Sequence, residues 1–184
     1  KGLPAAYCED GDKVETLEIK TVDSFSGVEV MLFYAVFYDY DVITRWVKIT
    51  NNGDNAITLL KALSGNIAFD NHNYDVISNF GTWARERQIE RAPLLHTGAV
   101  VEANCGSSSH YANPFMIMAD ANTTEHSGEA VGIALAYSGN HKMSANLSKY
   151  NIVNLSGGIS PDNFRWNLKQ GESFYTPELV MSFS

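Results

Sequence analysis

Apolar and polar residues alternate along most of this chain, and short stretches of turn-forming residues interrupt the alternation. In residues 42–50, for example, Ile43, Val47 and Ile49 fall on one face and mostly polar side chains on the other. A repeat of two residues is typical of a β-strand, whereas a helix would need apolar residues at i, i+3 and i+4. No segment sustains the helical spacing, so we expect strands and little helix.

The alternating segments predict an all-β fold, an antiparallel sandwich in which Gly-, Asn-, Ser- and Pro-rich turns separate the strands. Residues 28–63 are expected to form a meander of three antiparallel strands, because Asn51-Asn52-Gly53-Asp54 is a strong turn signal. In the first strand, Leu17 and Ile19 are expected to point inward. Strands are predicted at residues 14–20, 27–37, 42–50, 56–63, 74–79, 98–103, 115–119, 132–137, 143–147, 164–168 and 178–183.

Length and composition indicate one globular domain covering residues 1–184. The chain has 184 residues, of which 45% are apolar and 18% charged. A formal net charge of −8 argues against a nucleic-acid partner, because no basic excess could neutralise phosphates. The longest apolar run, residues 28–38, is too short to span a bilayer, so no membrane partner is expected. Cys8 and Cys105 are interpreted as free thiols in a reducing compartment, the cytoplasm.

The most distinctive segment is residues 81–91, Gly-Thr-Trp-Ala-Arg-Glu-Arg-Gln-Ile-Glu-Arg, in which five of eleven residues are Arg or Glu. Trp83 could cover the apolar face of a sugar ring, and neighbouring Arg and Glu side chains could bond its hydroxyls. As a helix the run would place Glu86 and Glu90 in repulsion at i, i+4, so an extended conformation is favoured. From the residues alone, the favoured interpretation is an exposed edge or loop with solvated charges and Trp83 packed on the core, since surface charge pairs are common.

The remaining polar clusters predict no catalytic mechanism, metal site or cofactor. The Ser107–His110 loop lacks a third group to orient the histidine, so it is not a nucleophile triad. Asp39 with Asp41 and Asp70 with Asp75 flank turns, where capping is a simpler role than acid–base catalysis. Gly157-Gly158 is interpreted as a simple turn and not as a phosphate-binding loop. No metal-ligand spacing relates the five histidines, which are His72, His96, His110, His126 and His141.

Several short motifs follow one another in a fixed order along nearly the whole chain, and together they resemble a known domain. The motifs are Val14-Glu15-Thr16-Leu17, Asp39-Tyr40-Asp41-Val42-Ile43-Thr44-Arg45, Gly81-Thr82-Trp83-Ala84-Arg85-Glu86-Arg87, Ser108-Ser109-His110 with Asn113-Pro114-Phe115, Tyr137-Ser138-Gly139-Asn140, and Gly171-Glu172-Ser173-Phe174 with Thr176-Pro177-Glu178. Their pattern is similar to the N-terminal β-domain of bacterial α-galactosidases of glycoside hydrolase family 36.

The resemblance implies an antiparallel β-supersandwich of the galactose-mutarotase type and a role inside a larger, oligomeric enzyme. In that family the two catalytic aspartates lie in a (β/α)₈ barrel that follows the β-domain, so no catalytic residue is expected in this chain. The chain is expected to begin inside the β-domain and to end where a connection towards the barrel starts. The full enzyme, expected to be a tetramer, would release terminal α-linked galactose from substrates such as melibiose and raffinose.

The resemblance also separates the roles within the charged run. In the family a tryptophan from a β-domain loop reaches the sugar pocket, often that of a neighbouring subunit, and Trp83 is the matching position. Arg85 is a weaker candidate for substrate binding. Glu86, Arg87, His110 and Asn113 are expected to support the loop. Two alternatives remain open: a free-standing carbohydrate-binding module, and a purely structural oligomerisation sandwich.

Overall fold

The computed structural model describes residues 3–71, 73–108 and 110–184, and within these ranges the chain forms strands and turns without helix. The all-β prediction is therefore confirmed. Within the same ranges no helix is long and apolar enough to cross a membrane. The strands are β1 (Val14–Val22), β2 (Val28–Phe37), β3 (Val42–Asn51), β4 (Ile57–Leu59), β5 (Leu63–Asp70), β6 (Tyr74–Thr82), β7 (Arg85–Pro93), β8 (Ala99–Ala103), β9 (Ala112–Asp120), β10 (Ala130–Leu135), β11 (His141–Leu147), β12 (Ile152–Ile159), β13 (Trp166–Leu168), β14 (Ser173–Tyr175) and β15 (Leu179–Phe183).

These strands form one large sheet and two smaller ones, and the pairs in all three are antiparallel. The large sheet has nine strands in the order β1-β2-β3-β15-β10-β9-β6-β7, with β14 pairing to β3 beside β15. A four-stranded sheet has the order β5-β12-β11-β8, and β4 pairs with β13 alone. The long hairpins β1–β2 and β6–β7 therefore form the two ends of the large sheet.

The core lies between the middle of the large sheet and the four-stranded sheet. Because side chains alternate along a strand, each sheet turns one apolar face towards the other. The large sheet contributes Met116, Met118, Ile133 and Leu179, which are almost completely buried. The facing sheet contributes the fully buried residues Met143, Ala145, Val153 and Leu155.

The predicted meander over residues 28–63 is wrong in its third strand. Ile57–Leu59 does not return to β3 but pairs with Trp166–Leu168, while β14 and β15 pair with the free side of β3. The buried amide of Asn51 explains the change of direction, since its Nδ2 donates to the carbonyls of Asn55 and Leu168 at 2.9 and 3.0 Å. These bonds fasten the turn to β13 instead of folding it back on β3.

Two smaller predictions also fail. Leu17 and Ile19 lie on the edge strand β1 and are 58% and 40% exposed, because β1 extends beyond the cover of the smaller sheets. Gly157 and Gly158 are not a turn but a break in register within β12. A Cβ on Gly158 would lie 2.8 Å from Cα of Leu63, so glycine permits the close approach of β5. Cys8 and Cys105 are both exposed and are not joined to each other, in agreement with the prediction.

Candidate functional site

The charged run forms the outer half of the β6–β7 hairpin at one edge of the large sheet. Trp83 and Ala84 connect the two strands, and all nine residues of β7 are exposed. The extended conformation is therefore confirmed and the helical alternative is wrong. Trp83 is 83% exposed at the hairpin tip, which rules out its packing on the core of this chain.

The hairpin tip departs from a regular strand at two positions. Phe80 pairs with Gln88 and Thr82 with Arg85, so two residues of β7, Glu86 and Arg87, oppose the single residue Gly81. Ala84 and Arg87 adopt positive φ angles of 62° and 55°. Such a bulge bends the strand and re-aims its side chains, so a strict alternation of faces does not hold across the run.

Glu86 fixes the connection beneath Trp83. Its Oε1 accepts a hydrogen bond from the backbone N–H of Ala84 at 2.8 Å. The pKa of Glu86 is lowered by hydrogen bonds from its own backbone N–H and from Ala84, and further by attraction to His110. The carboxylate therefore stays ionised, and holds the turn, below the ordinary glutamate range.

The loop of residues 104–111 supports the hairpin through backbone contacts at Gly81. The N–H of Gly81 donates to the carbonyl oxygen of Tyr111 at 3.3 Å. A Cβ at Gly81 would lie 2.5 Å from the Arg85 carbonyl oxygen and 3.0 Å from that of His110. Only glycine allows this approach, which accounts for the first residue of the motif.

The structure brings together some of the predicted site residues more closely than others. Glu86 and His110 lie beside the Trp83 turn, whereas the guanidinium groups of Arg85 and Arg87 make no hydrogen bond or ion pair with any described residue. Asn113 lies on β9, and its buried Nδ2 has no hydrogen-bond partner within the described ranges. Ser109, which belongs to one of the motifs, and His72 lie outside the described residues, as do Lys1 and Gly2.

Sequence reasoning missed the role of Arg91 at the base of the hairpin. Its Nε donates to Asp75 Oδ2 at 2.6 Å. The rest of its guanidinium binds three carbonyls of the turn at residues 120–123, those of Thr123 at 2.7 Å, Ala121 at 3.0 Å and Asp120 at 3.1 Å. The bulge sets the register so that Asp75 pairs with Pro93 and Ile77 with Arg91, which places Asp75 and Arg91 diagonally on one face of the hairpin. A regular two-residue turn at residues 83–84 would instead set Arg91 opposite Val76, so residue spacing alone carries no signal for this contact.

The remaining polar candidates are dispersed. Among the described residues there is no group of three or more His, Cys, Asp or Glu side chains arranged to hold a metal ion. Asp75 is engaged by Arg91, and Asp41 occupies a turn position with a φ of 51°. His141 is completely buried on β11, and burial lowers its pKa although the Gly139 carbonyl and Glu102 act in the opposite direction.

Comparison with known proteins identifies relatives over the whole chain. The family model described as the glycosyl hydrolase family 36 N-terminal domain matches residues 1–169. The alpha-galactosidase AgaA of Geobacillus stearothermophilus is 42% identical over 183 residues, which cover 100% of this chain and 25% of that protein. Alpha-galactosidase 1 of Pediococcus pentosaceus is 40% identical, with the same two coverages. The chain thus spans about a quarter of the length of these relatives.

Solved structures of the same relatives share the fold. An AgaA variant from Geobacillus stearothermophilus in complex with stachyose superimposes with a TM-score of 0.97 at 42% identity, covering 100% of this chain and 26% of that one. A galactose mutarotase-like protein from Lactobacillus casei has a TM-score of 0.51 at 13% identity, covering 93% of this chain and 70% of that one. The second likeness concerns the fold alone, and it confirms the predicted galactose-mutarotase type of β-supersandwich.

Proposed function

Because the chain belongs to the family of glycosyl hydrolase family 36 N-terminal domains, we propose that it is the non-catalytic β-domain of a longer α-galactosidase. The whole enzyme would hydrolyse terminal α-galactosides such as melibiose and raffinose by double displacement with retention, using a carboxylate nucleophile and a carboxylic acid/base. Both carboxyl groups would belong to a (β/α)₈ barrel in the same polypeptide. Residues 1–184 would act as a single domain, since the large and four-stranded sheets share one core.

The exposure of Trp83 carries the proposal that this domain reaches the substrate. An indole that is 83% exposed on a fixed turn is not explained by the packing of this chain. A rigid aromatic wall can stack on a galactose ring at a small cost in conformational entropy. Trp83 would therefore form one wall of the galactoside pocket in the assembled enzyme.

Of the neighbouring residues, one would contact the substrate and the others would stabilise the hairpin tip. Arg85, exposed and without an ion-pair partner among the described residues, would offer its guanidinium to sugar hydroxyls. Glu86 would hold the turn through Ala84, and His110 would brace Gly81 by backbone contact. Arg87, at a positive φ, would maintain the bulge, and Asn113 would support the adjoining end of β9.

The open edge of β7 supports a homo-oligomer, which we propose to be a tetramer in the full enzyme. An exposed strand at a sheet edge presents unpaired backbone groups, and Ile89 on this strand is 74% exposed. A neighbouring subunit seated on this hairpin would cover Ile89 and bring Trp83 close to a catalytic barrel. The cytoplasm remains the proposed compartment, because two exposed cysteines that are not joined to each other suit a reducing environment.

The decisive experiment measures steady-state hydrolysis of raffinose by the full-length enzyme with Trp83→Ala, Trp83→Phe and Ile89→Ala. Trp83→Ala is expected to reduce kcat/KM by at least about tenfold, the loss of a stacking contact, and Trp83→Phe to restore most of it. Ile89→Ala removes an apolar side chain from the same hairpin and controls for loss of assembly, which sedimentation would report. An unchanged kcat/KM in Trp83→Ala, with assembly intact, would leave the domain a purely structural role.

A second experiment addresses catalysis directly. The purified chain is expected to show no hydrolysis of a nitrophenyl α-galactoside, because both catalytic carboxyl groups are proposed to lie in the (β/α)₈ barrel. Activity in the purified chain that disappears on substitution of one of its own carboxylates would contradict a non-catalytic domain.

A further inference from the structure

A second group of aromatic side chains lies away from the Trp83 hairpin, between β13 and β14. It surrounds a cavity of about 430 Å³ that is open to solvent. We call this group the aromatic cup and define it by Tyr137, Phe164, Trp166, Ser173, Phe174 and Tyr175. Leu3 and Ile159 complete the lining.

The rings of the aromatic cup support one another and leave Trp166 accessible. Phe174 is buried, and its ring lies 5.3 Å from that of Trp166 and 5.6 Å from that of Phe164, at interplanar angles of 55° and 65°. Trp166 itself is 49% exposed. Its indole therefore packs against the buried ring of Phe174 and remains about half exposed to solvent.

The polar groups of the aromatic cup are few and uncharged. Ser173 shares a hydrogen bond with the Thr50 hydroxyl at 2.8 Å, and its own hydroxyl can still act as donor or acceptor to a ligand. No described residue forms a hydrogen bond with the indole N–H of Trp166 or with the hydroxyls of Tyr137 and Tyr175. None of the lining side chains is charged.

Glycine at position 139 allows Tyr137 to take its place in the aromatic cup. A Cβ at Gly139 would lie 2.5 Å from the hydroxyl oxygen of Tyr137 and 2.6 Å from its ring carbons. The tyrosine therefore folds back over Gly139. This contact gives a structural reason for the tyrosine and the glycine of the Tyr137-Ser138-Gly139-Asn140 motif.

The aromatic cup and Trp83 lie at the same end of the sandwich. In the antiparallel sheet, β6 ends where β9 begins, β10 ends there as well, and β15 starts there. The loop after β10 is joined to the loop that braces the hairpin, since Ser108 N–H donates to the Ser138 carbonyl at 2.8 Å and Gly106 N–H to Asn140 Oδ1 at 2.7 Å. Both features therefore face the same side of the molecule.

We propose that the aromatic cup is a second sugar site, which binds one hexose ring of a neutral oligosaccharide independently of Trp83. The cavity lies in the size range of small-ligand pockets, and aromatic walls with a few hydroxyl and N–H groups suit the apolar face and the rim of a sugar ring. The lining side chains are uncharged, which favours a neutral ligand; the Lys48 ammonium lies 5.6 Å from the centre of the Tyr175 ring and is not part of the lining. The identity of the sugar, a galactose-containing oligosaccharide, rests on the proposed function.

The test is a titration of the chain with raffinose, followed by the three tryptophan indole N–H signals in a two-dimensional ¹H–¹⁵N spectrum. The chain has three tryptophans, so each site has its own reporter. Trp166 reports the aromatic cup, Trp83 reports the hairpin, and the buried Trp46 serves as the internal control. A saturable shift of the Trp166 signal with Trp46 unchanged is expected at millimolar to tens of millimolar sugar.

Variants separate this site from the hairpin. Because Trp166→Ala removes its own NMR reporter, raffinose affinity of the variants is measured by isothermal titration calorimetry. Trp166→Ala is expected to weaken binding by at least about tenfold, and Trp83→Ala to leave it unchanged. Tyr137→Phe removes only a hydroxyl, retains the ring, and is expected to weaken binding by a smaller factor, so the test does not depend on a variant that could unfold. Circular dichroism of each variant checks the fold.

Three results would overturn the second site: no saturation of the Trp166 signal, a shift confined to Trp83, or equal binding by the Trp166→Ala variant. None of them bears on Trp83 in the full enzyme, whose test is kinetic. Conversely, loss of the kinetic effect of Trp83 would leave binding at the aromatic cup intact.

Discussion

The carboxylate of Glu86 accepts the backbone N–H of Ala84 at 2.8 Å, and this bond spans the turn that carries Trp83. Ala84 has a positive φ of 62°, a conformation that alanine adopts only when its surroundings enforce it. The side chain of one residue thus maintains the unusual backbone of another, and the exposed indole depends on both.

Replacing Glu86 is therefore expected to loosen the tip without unfolding the sheet. Glu86→Ala removes the acceptor and should increase fast motion of the Trp83 indole, measured by heteronuclear NMR relaxation or fluorescence anisotropy. Glu86→Gln keeps an acceptor oxygen and serves as the matched control. Equal mobility of Trp83 in the wild-type chain and in Glu86→Ala would show that the turn is held by other contacts.

Gly81→Ala should destabilise the chain by about 1–3 kcal/mol, because the new Cβ meets backbone atoms that cannot rotate away. Gly132→Ala is a useful comparison, since the nearest atoms to its Cβ are 4.0 Å distant. That second substitution should be neutral or slightly stabilising. Urea denaturation measures both, and a similar loss of unfolding free energy in the two variants would contradict the close approach at Gly81.

Arg91→Lys is expected to lower the free energy of unfolding by about 1–2 kcal/mol, because an ammonium cannot reproduce the four hydrogen bonds of the guanidinium. Arg87→Lys should change stability by less than about 0.5 kcal/mol, since the Arg87 guanidinium binds no described residue. Hydrogen exchange of the β6–β7 amides should accelerate in the first variant only. Slow exchange retained in Arg91→Lys would show that the salt bridge alone secures the strand.

Acidification should weaken the fold through His141. Its pKa is lowered in the folded state by burial, so the unfolded chain takes up the proton first. The free energy of unfolding is then highest above the ordinary histidine pKa of about 6.5 and falls as the pH drops below it. Because Nε2 of His141 has no hydrogen-bond partner in the described part of the chain, His141→Phe should fold and flatten this part of the pH profile. A slope that persists unchanged in the variant would assign it to other groups.

The extended conformation of residues 85–91 was predictable because it depends on local features, namely charge repulsion at helical spacing and the strand pattern around it. The exposure of Trp83 was not, since its burial depends on which neighbours fold over it. The turn at residues 83–84 contains neither Asn nor Gly, and its positive φ at Ala84 is enforced from outside by Glu86.

Strand existence was likewise easier to predict than strand pairing. Ile57–Leu59 has the composition of a strand, but its partner, Trp166–Leu168, lies more than a hundred positions away, and the buried amide of Asn51 decides between that partner and β3. Leu17 and Ile19 have the pattern of a buried face, yet no strand of the smaller sheets extends far enough to cover them. Both the pairing of Ile57–Leu59 and the exposure of Leu17 and Ile19 depend on strands that are distant in sequence, and the spacing of residues within one strand does not contain that information.

The hydrogen bonds from Arg91 to the turn at residues 120–123 hold the base of the β6–β7 hairpin, so a change in the tilt of the hairpin would pivot at this point. Trp83 stands at the opposite end, about 17 Å further along the strands, so a tilt of about 10° at the base would carry the indole through about 3 Å. A small change in the turn that receives Arg91 would thus be amplified at the tip. Substitutions in the turn at residues 120–123 would in this way change the position of the Trp83 indole, although that turn lies at the opposite end of the hairpin.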